Sequence, residues 1–256
     1  MKMIEELLKD KYKENWIKFR RELFYRIKYN QFKITTGIHL FNAKECLETY
    51  NKRMYEKHKE FIYRNKVIFD IGSQFGDYSI IWNKIYHNSV YAFEPLINNF
   101  NISFRNMKLN YASTQICKIL ELDNEIFELY NGDIPFLFIF NCAIGNTKEI
   151  NGIIKNNMLM QNFNGENYKS YKVQDLIPFT KPDMIKIDVE GFEIEVLKSL
   201  NSVIEQHKPD FIIEVHSHFL RSEVIRLLKN YKIYYEDIMI DNDKEYISIL
   251  FMKVSE

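Results

Sequence analysis

From Lys66 onward the chain alternates short, almost wholly apolar runs with longer amphipathic segments, and few architectures accept that rhythm. Val67–Ile71, Ser89–Phe93, Phe136–Cys142, Met184–Val189 and Phe211–Val215 read as strands, and 76–86, 96–109, 191–206 and 219–229 as helices. A strand apolar on both sides has no face to offer water, so it belongs in a sheet covered above and below. Strands joined through helices run parallel, by right-handed crossovers. Ile233–Asp237 and Tyr246–Lys253, with no helix between them, are expected to close the sheet end as an antiparallel hairpin. The fold class is α/β, a mostly parallel open sheet flanked by helices. Residues 110–133 stay ambiguous, and the polar, Asn- and Gly-rich stretch 145–170 reads as a long loop with at most a short strand at 148–154.

Ahead of this region lies a different pattern. Ile4, Leu7, Leu8, Tyr12, Trp16, Phe19, Leu23 and Ile27 recur at helical spacing, and a second helical pattern spans about 43–63. The chain is therefore divided into a helical N-terminal extension, 1–62, and an α/β domain, 63–256. Packing against the sheet, a homodimer contact and a lid over a pocket are all open roles for the extension. Acidic and basic residues number 35 each, and a nucleic-acid partner would ordinarily be met by a basic excess, so none is expected. Cys46, Cys117 and Cys142 show neither metal spacing nor a disulfide framework. The N-terminus lacks a signal-peptide apolar core, and Ile134–Phe140 is too short to span a bilayer. A cytoplasmic protein without a membrane span is the expectation.

The strongest local motif is Val67–Ser79, VIFDIGSQFGDYS. A buried strand ends near Asp70, and a turn carrying Gly72 and Gly76 leads into a helix. Gly72 lets a ligand approach the backbone, and Gly76 permits close packing. A pyrophosphate site would show G-x-G-x-x-G; here Gln74 stands between two more widely spaced glycines, and Asp70 repels phosphate. An acid at the strand tip suits a cation. The next strand, SVYAFEP, ends in Glu94, near the roughly 20-residue spacing at which a carboxylate accepts ribose hydroxyls. The alternative for both acids is a solvated strand end.

Two later strands carry charges that a covered sheet tolerates only when paired. Lys186, Asp188 and Glu190 alternate along one, Glu214 and His216 along the other. In register, Lys186 would meet Glu214 as a structural ion pair, and Asp188 would meet His216 at the rim. His216 is then the candidate general base, oriented by a carboxylate, with Asp188 as the alternative proton acceptor. All four could instead be scaffold. Asp188, Glu190 and His216 lack a diagnostic ligand spacing, so no metal is expected. His87, His207 and His218 read as solvated residues of loops or helix ends.

FDIGSQFGDYS, VYAFEP, CAIGN, IKIDVEGFEIEVLKSL and FIIEVH, in that order, make the chain resemble the FkbM family of S-adenosylmethionine-dependent methyltransferases over roughly 60–240. The resemblance implies a class I, Rossmann-like methyltransferase sheet of seven strands, the last antiparallel. It implies methyl transfer to a hydroxyl of a sugar, glycan or other small molecule. Carried over by position, Asp70, Gly72, Gln74 and Gly76 would bind the methionine end of the cofactor and Glu94 its ribose. Ala143 would lie near the adenine and Asp188 beside the methyl. The family commonly has Asn where this chain has Gln74, whose amide still donates and accepts. The rivals are a nucleotide-dependent oxidoreductase or sugar-nucleotide enzyme, for which a third glycine is missing, and a non-catalytic cofactor-binding module.

Overall fold

The computed structural model describes residues 34–35, 40–41, 66–110, 135–155, 158–162, 164–177, 180–241 and 245–255. Both expected N-terminal helices and the ambiguous stretch after Asn110 lie outside them. A short antiparallel pair, β1 (Ile34–Thr35) and β2 (Leu40–Phe41), precedes the main sheet.

That sheet begins with β3 (Val67–Ile71), helix α1 (Asp77–Tyr86), β4 (Ser89–Phe93), helix α2 (Ile97–Asn110) and β5 (Leu137–Phe140). Its second half is β10 (Met184–Ile187), helices α4 (Glu193–Ser199) and α5 (Asn201–His207), β11 (Asp210–Val215), helix α6 (His218–Leu227), β12 (Tyr231–Asp241) and β13 (Tyr246–Val254). The spatial order is β12-β13-β11-β10-β3-β4-β5. β3, β4, β5, β10 and β11 are parallel, and β13 runs antiparallel to both β11 and β12. This is the expected seven-stranded sheet with its closing hairpin.

Alternate residues of each strand feed the two faces. Phe69, Tyr91, Phe138, Ile185 and Phe211 pack with Val196, Leu197 and Val224 of the helices on one side. Ile68, Val90, Leu137, Met184 and Ile212 pack with Ile80, Trp82 and Phe100 on the other. Burial on both faces is why the strands read as unbroken apolar runs. Ser217 starts α6 as its N-cap, its hydroxyl accepting from the Leu220 N–H at 3.0 Å, which leaves His216 at the strand exit.

The chain starts at the centre with β3, builds outward to β5, then returns to β10 on the other side of β3. Helices leaving β3 and β10 therefore diverge, opening a crevice at the carboxyl ends of these two strands, where open α/β sheets bind ligands.

The expected loop after residue 145 is instead a second sheet. β6 (Ala143–Ile144), β7 (Glu149–Lys155), β8 (Met158–Gln161) and β9 (Glu166–Tyr171) assemble in the order β6-β9-β7-β8, and the short helix α3 (Val173–Leu176) follows. Its strands bury little on one side, so their polar residues hid the alternation. Ile150 and Leu159 turn inward, joining Leu96, Ala143 and Phe192 in a small apolar cluster of their own.

Candidate active site

A cavity of about 490 Å³ occupies the crevice. Gly72, Gln74, Glu94, Asn99 and Ala143 line one half; Lys186, Asp188, Glu190 and Glu214 line the other. Ile150, Met158 and Leu159 of the second sheet also line it. That sheet is fastened to the rim by the Gln161 N–H, which donates to the Glu190 carbonyl at 3.2 Å.

The first half is built from backbone. Gly72 has φ +80, and a Cβ there would lie 1.8 Å from the Asp188 carbonyl oxygen, so no other residue fits. The N–H groups of Gly72 and Ser73 both donate to the Phe93 carbonyl, clamping the turn to β4. Gln74, also left-handed at φ 48, donates its N–H to Glu94 Oε2 at 2.9 Å. Glu94 Oε1 accepts from the Leu96 N–H at 2.9 Å and the Asn99 amide at 3.3 Å. Burial nevertheless pushes the Glu94 carboxyl up to about 7, against the pull of these donors.

Asp70, expected to touch the cofactor, is instead fully buried and absent from the cavity lining. It accepts from the Ser79 hydroxyl and lies 3.3 Å from Lys186 Nζ, so it acts through Lys186. The residue lies one position before the strand's final residue, on the inward side, where the sequence had placed it at the tip. Gly76, at φ +70, likewise does not line the cavity; it lets α2 approach, with Ser103 Cβ 3.1 Å from where its own Cβ would be.

The second half is a charge network. Lys186 is paired across the sheet with Ile212 and Asp70, rather than with Glu214 as the sequence suggested. The register is two residues away from that assumed, so its amine reaches Asp70 at 3.3 Å and Asp188 at 3.4 Å and donates to the Gly72 carbonyl at 2.9 Å. Burial opposes its charge, but Asp70, Asp188 and Glu214 together raise its pKa and hold it protonated. Asp188 does come together with His216: Asp188, Glu214 and His216 can bring one ligand atom each within 4.8 Å of the others.

His216 is surrounded by acids. Its Nδ1 lies 3.4 Å from Glu193 Oε1, and its Nε2 lies 3.4 Å from both Glu190 Oε2 and Glu214 Oε1. Burial works against the imidazolium, yet Glu193, Glu214 and Glu190 outweigh it and push the ring up to about 11. Three carboxylates at 3.4 Å favour the charged ring, which has no lone pair to offer, so the arrangement argues against the general-base role expected of His216. The sequence set one carboxylate, Asp188, against His216; in the structure Glu214 of its own strand, Glu190 of the turn and Glu193 of α4 also crowd the ring. Glu193 was missed altogether. Its signal was a carboxylate in the first helical turn, and it accepts the Gly191 N–H at 3.0 Å. Glu214 is raised above its ordinary value by burial and by Asp188, and Glu190 by burial.

Of the other histidines, His87 caps the end of α1, His207 ends α5 and His218 begins α6 with its ring 3.8 Å from that of Tyr246. Among the described residues no helix is long and apolar enough to cross a membrane.

The donor set fits S-adenosylmethionine. A fixed carboxylate with lone pairs remaining matches a pair of ribose hydroxyls, the apolar cluster around Ala143 matches a flat base, and acidic walls match a sulfonium rather than a pyrophosphate.

Residues 70–233 match the model of the methyltransferase FkbM domain. The chain is 26% identical, over 181 residues, to the hexuronic acid methyltransferase AglP of Haloferax volcanii, spanning 71% of this chain and 69% of that one. Among solved structures it is similar to a methyltransferase FkbM from Methylobacillus flagellatus, at 17% identity and TM-score 0.45, covering 73% of this chain and only 43% of that one. It is also similar to a Streptococcus pneumoniae protein, a putative tRNA (m1A22) methyltransferase in complex with S-adenosyl-L-methionine. There the identity is 12% and the TM-score 0.45, covering 80% of this chain and 73% of that one.

Proposed function

The chain belongs to the FkbM methyltransferase family and is an S-adenosylmethionine-dependent enzyme; from that premise we propose that it methylates a hydroxyl oxygen of a sugar, as part of a glycan or as a smaller glycoside. The observation that carries this is the division of one cavity into a nucleoside-shaped half around Glu94 and an acid-lined half around Asp188. The hexuronic acid named in the Haloferax relative supports a sugar acceptor. We place the 1–62 segment outside the methyltransferase domain proper, which begins near residue 63.

Gly72 and Gln74 hold the amino-acid end of the cofactor, Glu94 its ribose hydroxyls, and Ala143 lies by the base. When bound, the cofactor supplies a methyl group on a positively charged sulfur, already a good leaving group. The protein's part is to present the acceptor oxygen in line and to take its proton. Asp188, steadied by Lys186 at 3.4 Å, orients the hydroxyl. Glu214 takes the proton, because burial and the neighbouring Asp188 make it a stronger base than an ordinary carboxylate. His216 positions Glu190 and Glu214 as a fixed cation.

Calorimetry with S-adenosylhomocysteine and with NAD tests the premise, and methyl transfer from labelled cofactor to hydroxylated glycosides tests the proposal. Binding of the first ligand and transfer to a glycoside oxygen are expected. Binding of NAD alone would return the chain to the oxidoreductase reading. Cofactor binding with no transfer to any hydroxyl would leave a binding module.

A further inference from the structure

Among the described residues, the acceptor half of the cavity carries far more negative than positive charge, and the positive groups near it are already engaged. Asp188, Glu190 and Glu214 line it, with side chains 30%, 17% and 24% exposed, so each still faces the opening. Glu193 lies directly behind them, fully buried. Among the described residues lining the cavity, Lys186 is the only cation. Its amine is shared by Asp70, Asp188 and the Gly72 carbonyl, and its side chain is only 9% exposed. His216 does not line the cavity, and both ring nitrogens face carboxylates, Nδ1 toward Glu193 and Nε2 toward Glu190 and Glu214. A fork of Arg or Lys donors, the usual recognition device for a carboxylate, is missing from this wall among the described residues. Glu190 is moreover held toward the site by its backbone. It sits at φ 51, left-handed for a non-glycine residue, and its carbonyl is pinned by the Gln161 N–H at 3.2 Å.

Resting on the sugar methyltransferase reading above, we propose that this wall selects the acceptor by charge: it takes a neutral or amino-bearing sugar and turns away a hexuronate. The cofactor's sulfonium offsets one negative charge at most, and a second carboxylate entering a half-buried space among three others meets repulsion that water screens poorly. A neutral sugar suffers none of this, and its hydroxyls find acceptors on every side. An ammonium substituent gains direct partners in Glu190 and Glu214. Met239, Ile249 and Ile212 line the same cavity and give the apolar face of a pyranose something to rest on.

The test uses the full chain loaded with S-adenosylhomocysteine for binding, or with S-adenosylmethionine for turnover, and three matched probes: 4-nitrophenyl β-glucoside, β-glucosaminide and β-glucuronide. The glucuronide is expected to be the weakest of the three in Kd and kcat/KM, by about 30-fold or more against the glucoside at low salt. Glu190→Gln, which keeps shape and removes one charge, is expected to narrow that gap several-fold, as is raising the salt to roughly 0.5 M. A glucuronide that binds or reacts as well as the glucoside overturns the proposal, as does equal behaviour of the three probes, including binding by none. A gap unchanged in Glu190→Gln and in salt overturns it too, since sterics would then set the preference. Loss of S-adenosylhomocysteine binding itself would count against the methyltransferase reading, a separate result.

Discussion

The two halves of the cavity solve the same problem, holding a polar ligand in a mostly apolar cleft, by opposite means. Around Glu94 one carboxylate is fixed by neutral donors, two backbone N–H groups and an amide. Around His216 carboxylates and cations fix one another, with contacts of 3.3 to 3.4 Å. The contrast teaches where each half is sensitive. A backbone cradle is sensitive to volume and to the protonation of its single acid. A charge network is sensitive to any change of charge but forgiving of small shifts in shape.

The largest effect that sharpens this contrast is expected from Gly72→Ala. A methyl group aimed at the Asp188 carbonyl, on a backbone at φ +80, should abolish cofactor binding and destabilise the fold by roughly 2 kcal/mol or more, checked by calorimetry and urea unfolding. Glu94→Ala comes next: cofactor Kd should rise on the order of 100-fold while the melting temperature holds, and an unchanged Kd would remove Glu94 from the site. The wild-type affinity should also improve as pH rises through about 7, because the ionised carboxylate is the form that accepts ribose hydroxyls. The sign for stability is the reverse. With its folded value raised from 4.5, Glu94 favours the cofactor-free fold below pH 4.5, and that contribution is lost as pH rises through about 7.

In the other half, His216→Gln should lower kcat about 10- to 100-fold with cofactor affinity retained. The kcat/KM profile of the wild type should show no limb near pH 6.5 traceable to this ring; a limb there that vanishes in the variant would restore it as the base. The smallest effect lies outside both halves and serves as the control. Arg221 donates from Nε and a terminal nitrogen to Glu236 at 2.7 Å each, and Glu236 is held down to about 2. Its contribution is present above pH 4.5 and lost as pH falls through about 2. Arg221→Ala should cost about 1–2 kcal/mol at neutral pH without moving cofactor Kd.

The same contrast explains what could be read from the residues alone. Val67–Ile71 and Ser89–Phe93 were legible to their ends because both faces are buried and the apolar run has no gaps. Gly72, Gln74 and Glu94 could be located because the cradle is local, built from turns that follow those strands, and Ala143 because it comes just after the next one, Leu137–Phe140. The charge network is not local. Lys186 finds its partners across β3 as well as along β10, and a two-residue error in assumed register sent it to Glu214. His216 looked like a base because the sequence set a single carboxylate, Asp188, against it, whereas Glu214, Glu190 and Glu193 also close on the ring from its own strand, a turn and a helix. The second sheet escaped because Glu149–Lys155 and Glu166–Tyr171 bury few of their residues, leaving Ile150, with Leu159 of the neighbouring Met158–Gln161, as the large apolar side chains that mark an inner face.

Gly72 touches more than the cofactor space. Its α-carbon rests against the peptide that carries Asp188, and its own carbonyl is tethered to Lys186, so the loop for one reactant and the strand for the other form a single partition with no slack between them. Such a wall cannot flex on one side only. Whatever seats the methyl donor must set the reach of Asp188 in the same movement, and the alignment of the two reactants becomes a property of one shared piece of main chain.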